Sequence, residues 1–463
     1  IRNCLVGSEM CIRDSKKKLN REVVLKRNLT TEEIAKFEVR NYRFPDIQIA
    51  ERYSRENLYP YLFSHSIGYV GNLGEEKLQE ILSSQNLESN ETIFTYSNGF
   101  LNGKTGIEYV YDEKLRGLFG KKIYEVDASG RLLQEKQMIP AVAGEDIFTS
   151  LDLPSQKVAY DELNNRRGAV VAVDINDGSI VTYVSSPSFS VNKIANGLTQ
   201  NEFDELINDD DKPFFDRAAQ GRYSPASTIK PAIGLFGIDK DILDWEYTIQ
   251  DPGFFILPED GRIYRGWKKG GHGEINLKDA IIESSNTFFF SLAYQTEIEE
   301  LRAHLSNFGF GKNVCDDCFM PDNGLLPSPR WKMNTHNFGW FKGDTVNVGV
   351  GQGYINATPI QLAYYSAFLA TKGNINKFSF VQDSKNANKN IFNSKNITNI
   401  DWDNIHESMI GVIESPKGTA GRLRSLKDYV IAAKSGTVEL VSTETKEDYQ
   451  IIRETEGKRD HAI

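Results

Sequence analysis

The stretch that decides the fold is Tyr-Ser-Pro-Ala-Ser-Thr-Ile-Lys-Pro-Ala-Ile-Gly, residues 223–234. Proline is tolerated in an α-helix only in its first turn, because further in it removes a backbone hydrogen bond and clashes with the preceding turn. The second proline of the stretch therefore predicts a helix that begins near Pro225 or Ala226. Ser227 and Lys230 then share one face of the first turn. A hydroxyl and an amine held together at the positive end of a helix are typical of a nucleophile and its base.

Two later motifs join Ser-x-x-Lys in an ordered set. Ser284 and Asn286 form Ser-x-Asn, and Lys-Ser-Gly-Thr follows at 434–437 on a strand predicted over 429–440. Each motif is weak alone, since these residue types also suit helix caps, turns and exposed strands. Together, in this order and with separations of tens and then more than a hundred residues, they predict one catalytic site.

Residues 16–145 predict an α+β module without an obvious nucleophile. Short alternating runs at 107–111 and 122–126 suit half-buried strands. A capping-box pattern at the start of residues 30–37 indicates a short helix. Residues 1–15 show no clear periodicity, and we expect them to be an artefact or otherwise non-native, so they carry no fold argument.

A boundary near 139–146 separates this module from a second domain over 146–463. Within it, β-branched runs on both sides of an Asn-Asp-Gly turn predict a hairpin over 168–184. A helical pattern over about 215–310 and the late strand over 429–440 follow. Strands, then a helical block, then strands again indicate a sheet covered by helices, which is an α+β fold.

The bulk composition limits the classes of function. The 463 residues predict two or three domains, and the net charge of -10 argues against nucleic acid as a partner. No run of about 18 apolar residues occurs, so we expect no transmembrane helix in this chain. Cys315 and Cys318 form a lone Cys-x-x-Cys without the second pair that a zinc site needs, and we interpret them as loop cysteines able to pair in an oxidising compartment.

Seven stretches of the sequence carry a resemblance to a known family: Gln-Gly-Arg-Tyr-Ser-Pro-Ala-Ser-Thr-Ile-Lys-Pro (220–231), Asp-Pro-Gly-Phe-Phe (251–255), Tyr-Arg-Gly-Trp-Lys-Lys-Gly-Gly-His-Gly (264–273), Gly-Asp-Thr-Val-Asn-Val-Gly-Val-Gly-Gln-Gly-Tyr (343–354), Ala-Thr-Pro-Ile-Gln (357–361), Asn-Tyr-Arg-Phe-Pro (41–45) and His-Ser-Ile-Gly-Tyr-Val-Gly (65–71). They resemble the penicillin-recognising serine enzymes, and more narrowly the elongation-type class B penicillin-binding proteins, the type of penicillin-binding protein 2. The resemblance covers about residue 20 to the end. It implies a peptidoglycan DD-transpeptidase that cross-links stem peptides during cell elongation. The implied fold is an antiparallel sheet flanked by helices, preceded by a non-catalytic, dimerisation-like pedestal.

The residues also suggest the chemistry. A serine hydroxyl is a poor nucleophile until a base takes its proton, and Lys230 can do so only when neutral. Burial, Lys434 and the helix end are expected to lower the pKa of Lys230. By resemblance, the catalytic residues are Ser227, Lys230, Ser284 and Asn286, and the substrate-binding residues are Lys434, Ser435, Gly436 and Thr437.

We expect no cofactor and no metal. Enzymes of this type can carry zinc held by Asp, Asp, His and Cys, and the matching positions here are Asp251, Gly266, His272 and Ser285. Two of the four are not ordinary ligands and zinc needs three or four, so we expect no zinc and a structural role for His272. The spaced glycines of 348–354 do not fit a dinucleotide fingerprint and instead predict a tight segment near the active site.

The resemblance further implies partners and a location. The expected ligands are peptidoglycan stem peptides and β-lactams, and the expected partners are an elongation glycosyltransferase and wall-scaffold proteins that touch the pedestal. The catalytic domain would lie in the periplasm, anchored to the bacterial inner membrane by an N-terminal helix missing from this chain. We also expect the chain to end inside a strand, leaving a sheet edge unpaired and the protein poorly stable or inactive; ordinary acylation by a labelled penicillin would contradict this.

Three alternatives stay open. A septal class B transpeptidase is the nearest, although the pedestal and the stretches at 251–255 and 264–273 favour elongation. A serine β-lactamase would need a base that activates water for deacylation, and no Glu-based motif of that kind is evident. A non-catalytic penicillin sensor or wall scaffold would acylate without turnover or not at all. The lifetime of the acyl-enzyme separates the lactamase from the others.

Overall fold

The computed structural model describes most of the chain. The described residues are 25–26, 29–45, 47–49, 54–72, 74, 101–118, 120–127, 132–381, 390–392, 394, 396–426, 428–438 and 461–463. Residues 1–15, for which the sequence predicts an artefact, lie outside them. None of the described helices combines the length and the apolar composition that a membrane span requires.

Short helices and antiparallel strand pairs alternate along the described residues. The α-helices are α1 (Thr31–Glu38), α2 (Gly106–Val110), α3 (Asp112–Arg116), α4 (Leu153–Leu163), α5 (Val191–Asn196), α6 (Gln200–Ile207), α7 (Lys230–Asp239), α8 (Leu277–Ile282), α9 (Asn286–Tyr294), α10 (Ile298–Asn307), α11 (Pro329–His336), α12 (Lys342–Val348), α13 (Pro359–Ala370) and α14 (Asn399–Glu414). Three 3₁₀ helices span Asn41–Arg43, Ala226–Ile229 and Gly421–Ser425.

The strands are β1 (Val70–Asn72), β2 (Leu101–Gly103), β3 (Lys121–Val126), β4 (Leu132–Ile139), β5 (Gly168–Val173), β6 (Ile180–Ser186), β7 (Thr248–Asp251), β8 (Phe254–Ile256), β9 (Ile263–Arg265), β10 (Gly273–Asn276), β11 (Asn374–Ile375), β12 (Asn390–Ile391), β13 (Thr437–Val438) and β14 (His461–Ala462). They pair antiparallel as β1–β2, β3–β4, β5–β6, β7–β10, β8–β9, β11–β12 and β13–β14.

The chain divides into two compact units. The first comprises residues 1–148 together with 187–214, and the second comprises 149–186 and 215–463. The sequence suggests a single boundary near 145, whereas the contacts also assign residues 187–214 to the first unit. The assignment of a pedestal to 16–145 and of a catalytic domain to 146–463 stays a prediction.

Helix α1 of the first unit begins with the capping box that its sequence predicts. The Thr30 hydroxyl accepts a hydrogen bond from the Glu33 amide at 3.3 Å, and the Glu33 carboxylate accepts one from the Thr30 amide at 3.1 Å. Two otherwise unsatisfied amides of the first turn are thereby bonded. The strand predicted at 122–126 is confirmed, because β3 occupies it and pairs with β4.

The strand predicted at 107–111 is wrong, because α2 occupies this run. The amide of Tyr111 donates to the carbonyl of Ile107 at 2.9 Å, which is a helical hydrogen bond. Residues four apart share one face of a helix and also one face of a strand, so five residues of alternation cannot separate the two.

The second unit contains the predicted hairpin, since β5 and β6 pair from Gly168↔Ser186 to Val173↔Ile180. The region 215–310 is only partly helical as predicted: α7 to α10 lie there, but so do β7 to β10. These strands are three or four residues long, too short for their period to show against the flanking helices.

The late strand predicted over 429–440 is shorter in the structure. Only β13 is a strand among the described residues of this region, and residues 439–440 lie outside them. Val438 pairs with His461, and Gly436 exchanges two backbone hydrogen bonds with Ile463, each 2.9 Å long. Residues 461–463 therefore pair one edge of this strand. The predicted unpaired sheet edge and the predicted instability stay predictions.

The core of the second unit is organised around α7. Every residue of α7 from Lys230 to Ile238 is buried, and α9 is buried along most of its length. A helix that is apolar on all sides must be surrounded by protein. The residues that precede α7 are consequently held at the end of a fixed, enclosed helix.

Candidate active site

Ser227 lies on the 3₁₀ helix that leads into α7. The preceding residue, Ala226, has φ +48°, which a residue with a side chain rarely adopts. The Ala226 amide donates to the carbonyl of Gly351 at 2.8 Å. Gly351 itself has φ +71°, and a Cβ there would lie 2.1 Å from the Ala226 oxygen. The glycine-rich segment 348–354 is therefore a tight segment against the Ser227 turn, as predicted.

Lys230 is fully buried, with 0% of its surface exposed. Its Nζ donates to the Ser284 carbonyl at 2.8 Å, to the Ser284 hydroxyl at 3.2 Å and to Asn286 Oδ1 at 2.7 Å. These three contacts surround the amine and fix the direction of the side chain. No hydrogen bond of the Ser227 hydroxyl is present among the described residues.

Lys434 reaches the same serine from the far end of the sequence. Its Nζ donates to the Ser284 hydroxyl at 2.9 Å and to the Ser435 carbonyl at 3.1 Å. The Ser284 oxygen therefore lies between two amines that are more than two hundred positions apart in the chain. The structure brings all three sequence motifs to one place.

The two amines are held in surroundings that disfavour their charge. Burial lowers the pKa of Lys230 well below the usual lysine value, the neighbouring Lys434 lowers it further, and Asp251 partly opposes both. Burial also lowers the pKa of Lys434, to about 7. The predicted lowering of the Lys230 pKa by burial and by Lys434 is confirmed, and a neutral amine at Lys230 can act as a base.

The strand that follows Lys434 passes close to the Ser227 turn. A Cβ on Gly436 would lie 3.0 Å from Thr228 Cγ2 and 3.1 Å from the Pro225 carbonyl, so glycine permits this approach. The Ser435 hydroxyl lies 3.0 Å from the Thr419 hydroxyl. Thr437 is exposed on β13. No pattern in the sequence pointed to Thr419, because its contact with Ser435 depends on the fold.

Ser284 has a constrained backbone that several groups hold. Its φ is +57°, in the left-handed region. The indole Nε1 of Trp267 donates at 3.2 Å to the same Ser284 carbonyl that Lys230 contacts. Trp267 is nevertheless 61% exposed. Sequence analysis missed Trp267; its position in the glycine-rich stretch 264–273 was the available signal.

The four positions that match zinc ligands in similar enzymes lie together behind Ser284, but they do not fit the metal. Asp251 Oδ2 accepts hydrogen bonds from His272 Nδ1 at 2.6 Å and from the Ser285 hydroxyl at 2.7 Å. Asp251 and His272 are ordinary zinc ligands, but Ser285 is not, and zinc needs three or four such ligands. Gly266 offers no side-chain donor.

Two family descriptions match the chain. The penicillin-binding protein transpeptidase domain matches residues 168–452, and the penicillin-binding protein dimerisation domain matches residues 7–149.

Curated relatives carry the name peptidoglycan D,D-transpeptidase MrdA. The chain is 37% identical over 448 residues to that of Acinetobacter baumannii, covering 95% of this chain and 65% of the relative. It is 33% identical over 450 residues to that of Escherichia coli K12, covering 95% of this chain and 70% of the relative. The chain thus spans about two thirds of the length of these proteins.

Solved structures show the same similarity. Pseudomonas aeruginosa PBP2 in complex with WCK 5153 matches with a TM-score of 0.75 and 32% identity, covering 90% of this chain and 82% of that one. Helicobacter pylori PBP2 in complex with MreC matches with a TM-score of 0.74 and 26% identity, covering 92% and 79%.

Proposed function

The chain belongs to the family of penicillin-binding peptidoglycan transpeptidases, and from this we propose that it is a serine DD-transpeptidase that cross-links stem peptides during cell elongation. The observation that carries the proposal is the Ser284 hydroxyl held at 3.2 Å from the Lys230 amine and 2.9 Å from the Lys434 amine. Two amines with lowered pKa around one hydroxyl supply a base and a proton path beside the Ser227 turn.

In the first half-reaction, neutral Lys230 takes the proton of Ser227, whose oxygen attacks the carbonyl between the two terminal D-alanines. The C–N bond breaks, an acyl-enzyme forms and the last D-alanine leaves. Its amine must gain a proton, and the Ser284 hydroxyl can pass one from Lys230. Asn286 keeps Lys230 oriented through its 2.7 Å hydrogen bond.

The remaining motif residues stabilise the negative charges of the oxyanion and of the substrate's carboxylate. The backbone amides of Ser227 and Thr437 form the oxyanion hole, where charge develops on the attacked carbonyl. The substrate's terminal carboxylate binds to Lys434, Ser435 and Thr437. In the second half-reaction an amine of a neighbouring stem peptide attacks the acyl carbonyl, and Ser227 leaves with its proton restored.

The names of the relatives favour elongation over septation. We propose that the protein works in the periplasm at the bacterial inner membrane with a membrane glycosyltransferase. The complex of Helicobacter pylori PBP2 with MreC supports a wall-scaffold protein as a partner. We also propose that the site binds β-lactams; the complex of Pseudomonas aeruginosa PBP2 with WCK 5153 shows that a similar protein binds a compound of that name.

Acylation by a fluorescent penicillin tests the proposal. We expect the purified protein to be labelled once per chain, with an acyl lifetime of many minutes, and Ser227→Ala to abolish labelling while leaving the fold intact. The matched control is Ser366→Ala, because Ser366 is an exposed serine on α13. Rapid release of the label would identify a β-lactamase instead.

A stable label without cross-linking of pentapeptide strands would identify a sensor. Cross-linked product formed with the wild type but not with Ser227→Ala would support the transpeptidase.

A further inference from the structure

Resting on the proposed function, we propose that Asp251, His272 and Ser285 form a metal-free hydrogen-bonded clamp that positions the turn carrying Ser284 and Asn286. The clamp occupies the place where similar enzymes can hold zinc. In this chain, direct hydrogen bonds do the positioning that a metal would otherwise do.

The centre of the clamp is the Asp251 carboxylate, which is 2% exposed. Oδ2 accepts from His272 and Ser285 at 2.6 and 2.7 Å, and Oδ1 accepts from the Gly253 amide at 2.7 Å. Three donors thereby occupy three of the four lone-pair positions of this carboxylate. Burial alone would raise the pKa of Asp251, but these hydrogen bonds lower it, so the carboxylate stays ionised.

Position 266 supplies no metal ligand. A Cβ on Gly266 would lie 3.2 Å from the Gly253 carbonyl and 3.6 Å from Thr287 Oγ1. Glycine at 266 avoids this close contact and leaves Asp251 with direct hydrogen bonds to His272 and Ser285.

The other face of His272 does not make a cation site. Its Nε2 has no hydrogen-bond partner among the described residues and lies 3.9 Å from Glu283 Oε2. Glu283 already faces two ammonium groups, from Lys268 at 3.3 Å and from Lys417 at 3.2 Å. Positive charge at this carboxylate is thus supplied by the chain itself.

The clamp acts on the catalytic turn through Ser285. Its hydroxyl donates to Asp251 and also accepts from the Phe288 amide at 3.2 Å, which caps the N-terminus of α9. Asn286 is the first residue of α9, and Ser284 precedes the cap in its left-handed conformation. Fixing Ser285 on both sides therefore fixes Ser284 and Asn286, the two residues that bond to Lys230. Asp251, at the end of β7, anchors the cap to the β7–β10 pair.

The first experiment measures metal in the purified, unreacted protein by mass spectrometry, together with penicillin acylation before and after EDTA. We expect less than about one tenth of a zinc ion per chain and no loss of acylation rate. One zinc per chain, or a chelator-sensitive rate restored by zinc, would overturn the proposal.

The double variant with Gly266→Asp and Ser285→Cys should gain zinc, because it completes a four-ligand set. This readout needs no activity, so it decides the metal question even if the protein binds no penicillin. If the double variant binds no zinc either, the site cannot accept the metal. The argument that the clamp stands in the place of a zinc site is then wrong.

The second experiment measures the acylation rate of clamp variants at a temperature where circular dichroism shows each to be folded. Ser285→Ala and His272→Ala should slow acylation by about 10- to 100-fold, the usual effect of removing a group that orients a catalytic residue. His272→Asn and Ser285→Thr keep a donor to Asp251 and should restore part of the rate. His336→Ala, an exposed histidine on α11, is the control. Unchanged acylation in both alanine variants would refute the positioning role, whereas absent acylation in the wild type would refute the proposed function alone.

Discussion

At the scale of single residues, Ser284 is where the buried amine of Lys230 and the half-buried Lys434 meet. Its hydroxyl receives hydrogen bonds from Lys230 and Lys434, and its carbonyl receives them from Lys230 and Trp267. Holding two lysines out of water costs folding free energy, which the protein tolerates at a site where lowered pKa values are useful. The lowered pKa of Lys434 therefore favours function but lowers the stability of the folded protein.

This opposition gives a prediction for Lys434→Met, which keeps the length of the side chain without its charge. The pKa of Lys434 is about 7 in the folded protein and the ordinary lysine value when unfolded. Between these values the unfolded state binds more protons, so wild-type stability rises with pH; the cost of this lysine is full below pH about 7 and fades toward the ordinary lysine pKa.

We expect Lys434→Met to raise the melting temperature at pH 6 by several degrees, since ~1 kcal/mol corresponds to about 2–4 °C in a protein of this size. The gain should shrink toward pH 10, while acylation falls by at least about 100-fold. Differential scanning calorimetry at both pH values checks this. A gain that is equal at pH 6 and pH 10 would show that the Lys434 charge is not the cause.

At the scale of elements, the Ser227 turn is shaped by a loop far away in the sequence. Ala226 and Gly351 both have positive φ and meet backbone to backbone. Pro231, in the first turn of α7, limits how far the helix extends toward Ser227. The 3₁₀ helix at 226–229 is the result, and it presents Ser227 at the end of a buried helix.

We predict that Gly351→Ala destabilises the second unit by more than the cost of placing a side chain in the left-handed backbone conformation. The matched control is Gly261→Ala, because Gly261 has φ +73° but nothing within 4 Å of a Cβ. The control should cost about 1–2 kcal/mol, the price of a left-handed conformation.

Gly351→Ala should cost clearly more than this control, because its Cβ would overlap the Ala226 oxygen at 2.1 Å. It should also slow acylation. Urea unfolding and penicillin labelling measure the two effects. Equal losses in the two variants would mean that the loop and the turn can move apart freely.

The two loop cysteines also stabilise a connection between elements. Cys315 and Cys318 form a disulfide in the structure. The Asp317 carboxylate between them accepts hydrogen bonds from the Phe380 and Val381 amides, at 2.8 and 3.0 Å. The disulfide therefore holds a carboxylate that anchors the chain after β11.

At the scale of the whole molecule, the first unit is discontinuous in sequence. Residues 187–214 leave the second unit and pack within the first. The Val191 amide donates to the Pro60 carbonyl at 3.0 Å. Phe189, which is 3% exposed, makes edge contacts with His65 and Tyr69. A cut near residue 148 therefore does not separate two self-contained parts.

We predict that a fragment of residues 149–463 is less soluble than the chain itself. Removing residues 1–148 exposes Phe189 and Val191, and each buried side chain of this kind contributes about 1.5–3 kcal/mol. The fragment should bind more of a hydrophobic dye and sediment as aggregates, and shortening 187–214 to a glycine-serine linker should reverse both effects. A monomeric fragment with the dye binding of the intact chain would contradict the division.

The sequence by itself determined the features that depend on residue type and short spacing. It gave the ordered motifs, the capping box of α1, the β5–β6 hairpin and the helix that begins beside Ser227. These are local, because caps, turns and proline restrict the backbone within a few residues. Five alternating residues were not enough to identify α2, and the three- and four-residue strands β7 to β10 were hidden among helices for the same reason.

Only the tertiary structure decided what lies around Ser284. It brought Lys434 to the same hydroxyl as Lys230, placed Trp267 and Thr419 beside the motifs and closed Asp251, His272 and Ser285 into direct contact. It also packed residues 187–214 within the first unit. The physical reason is that these contacts join residues tens to hundreds of positions apart, and burial and packing of the complete fold, rather than local backbone preference, set their distances.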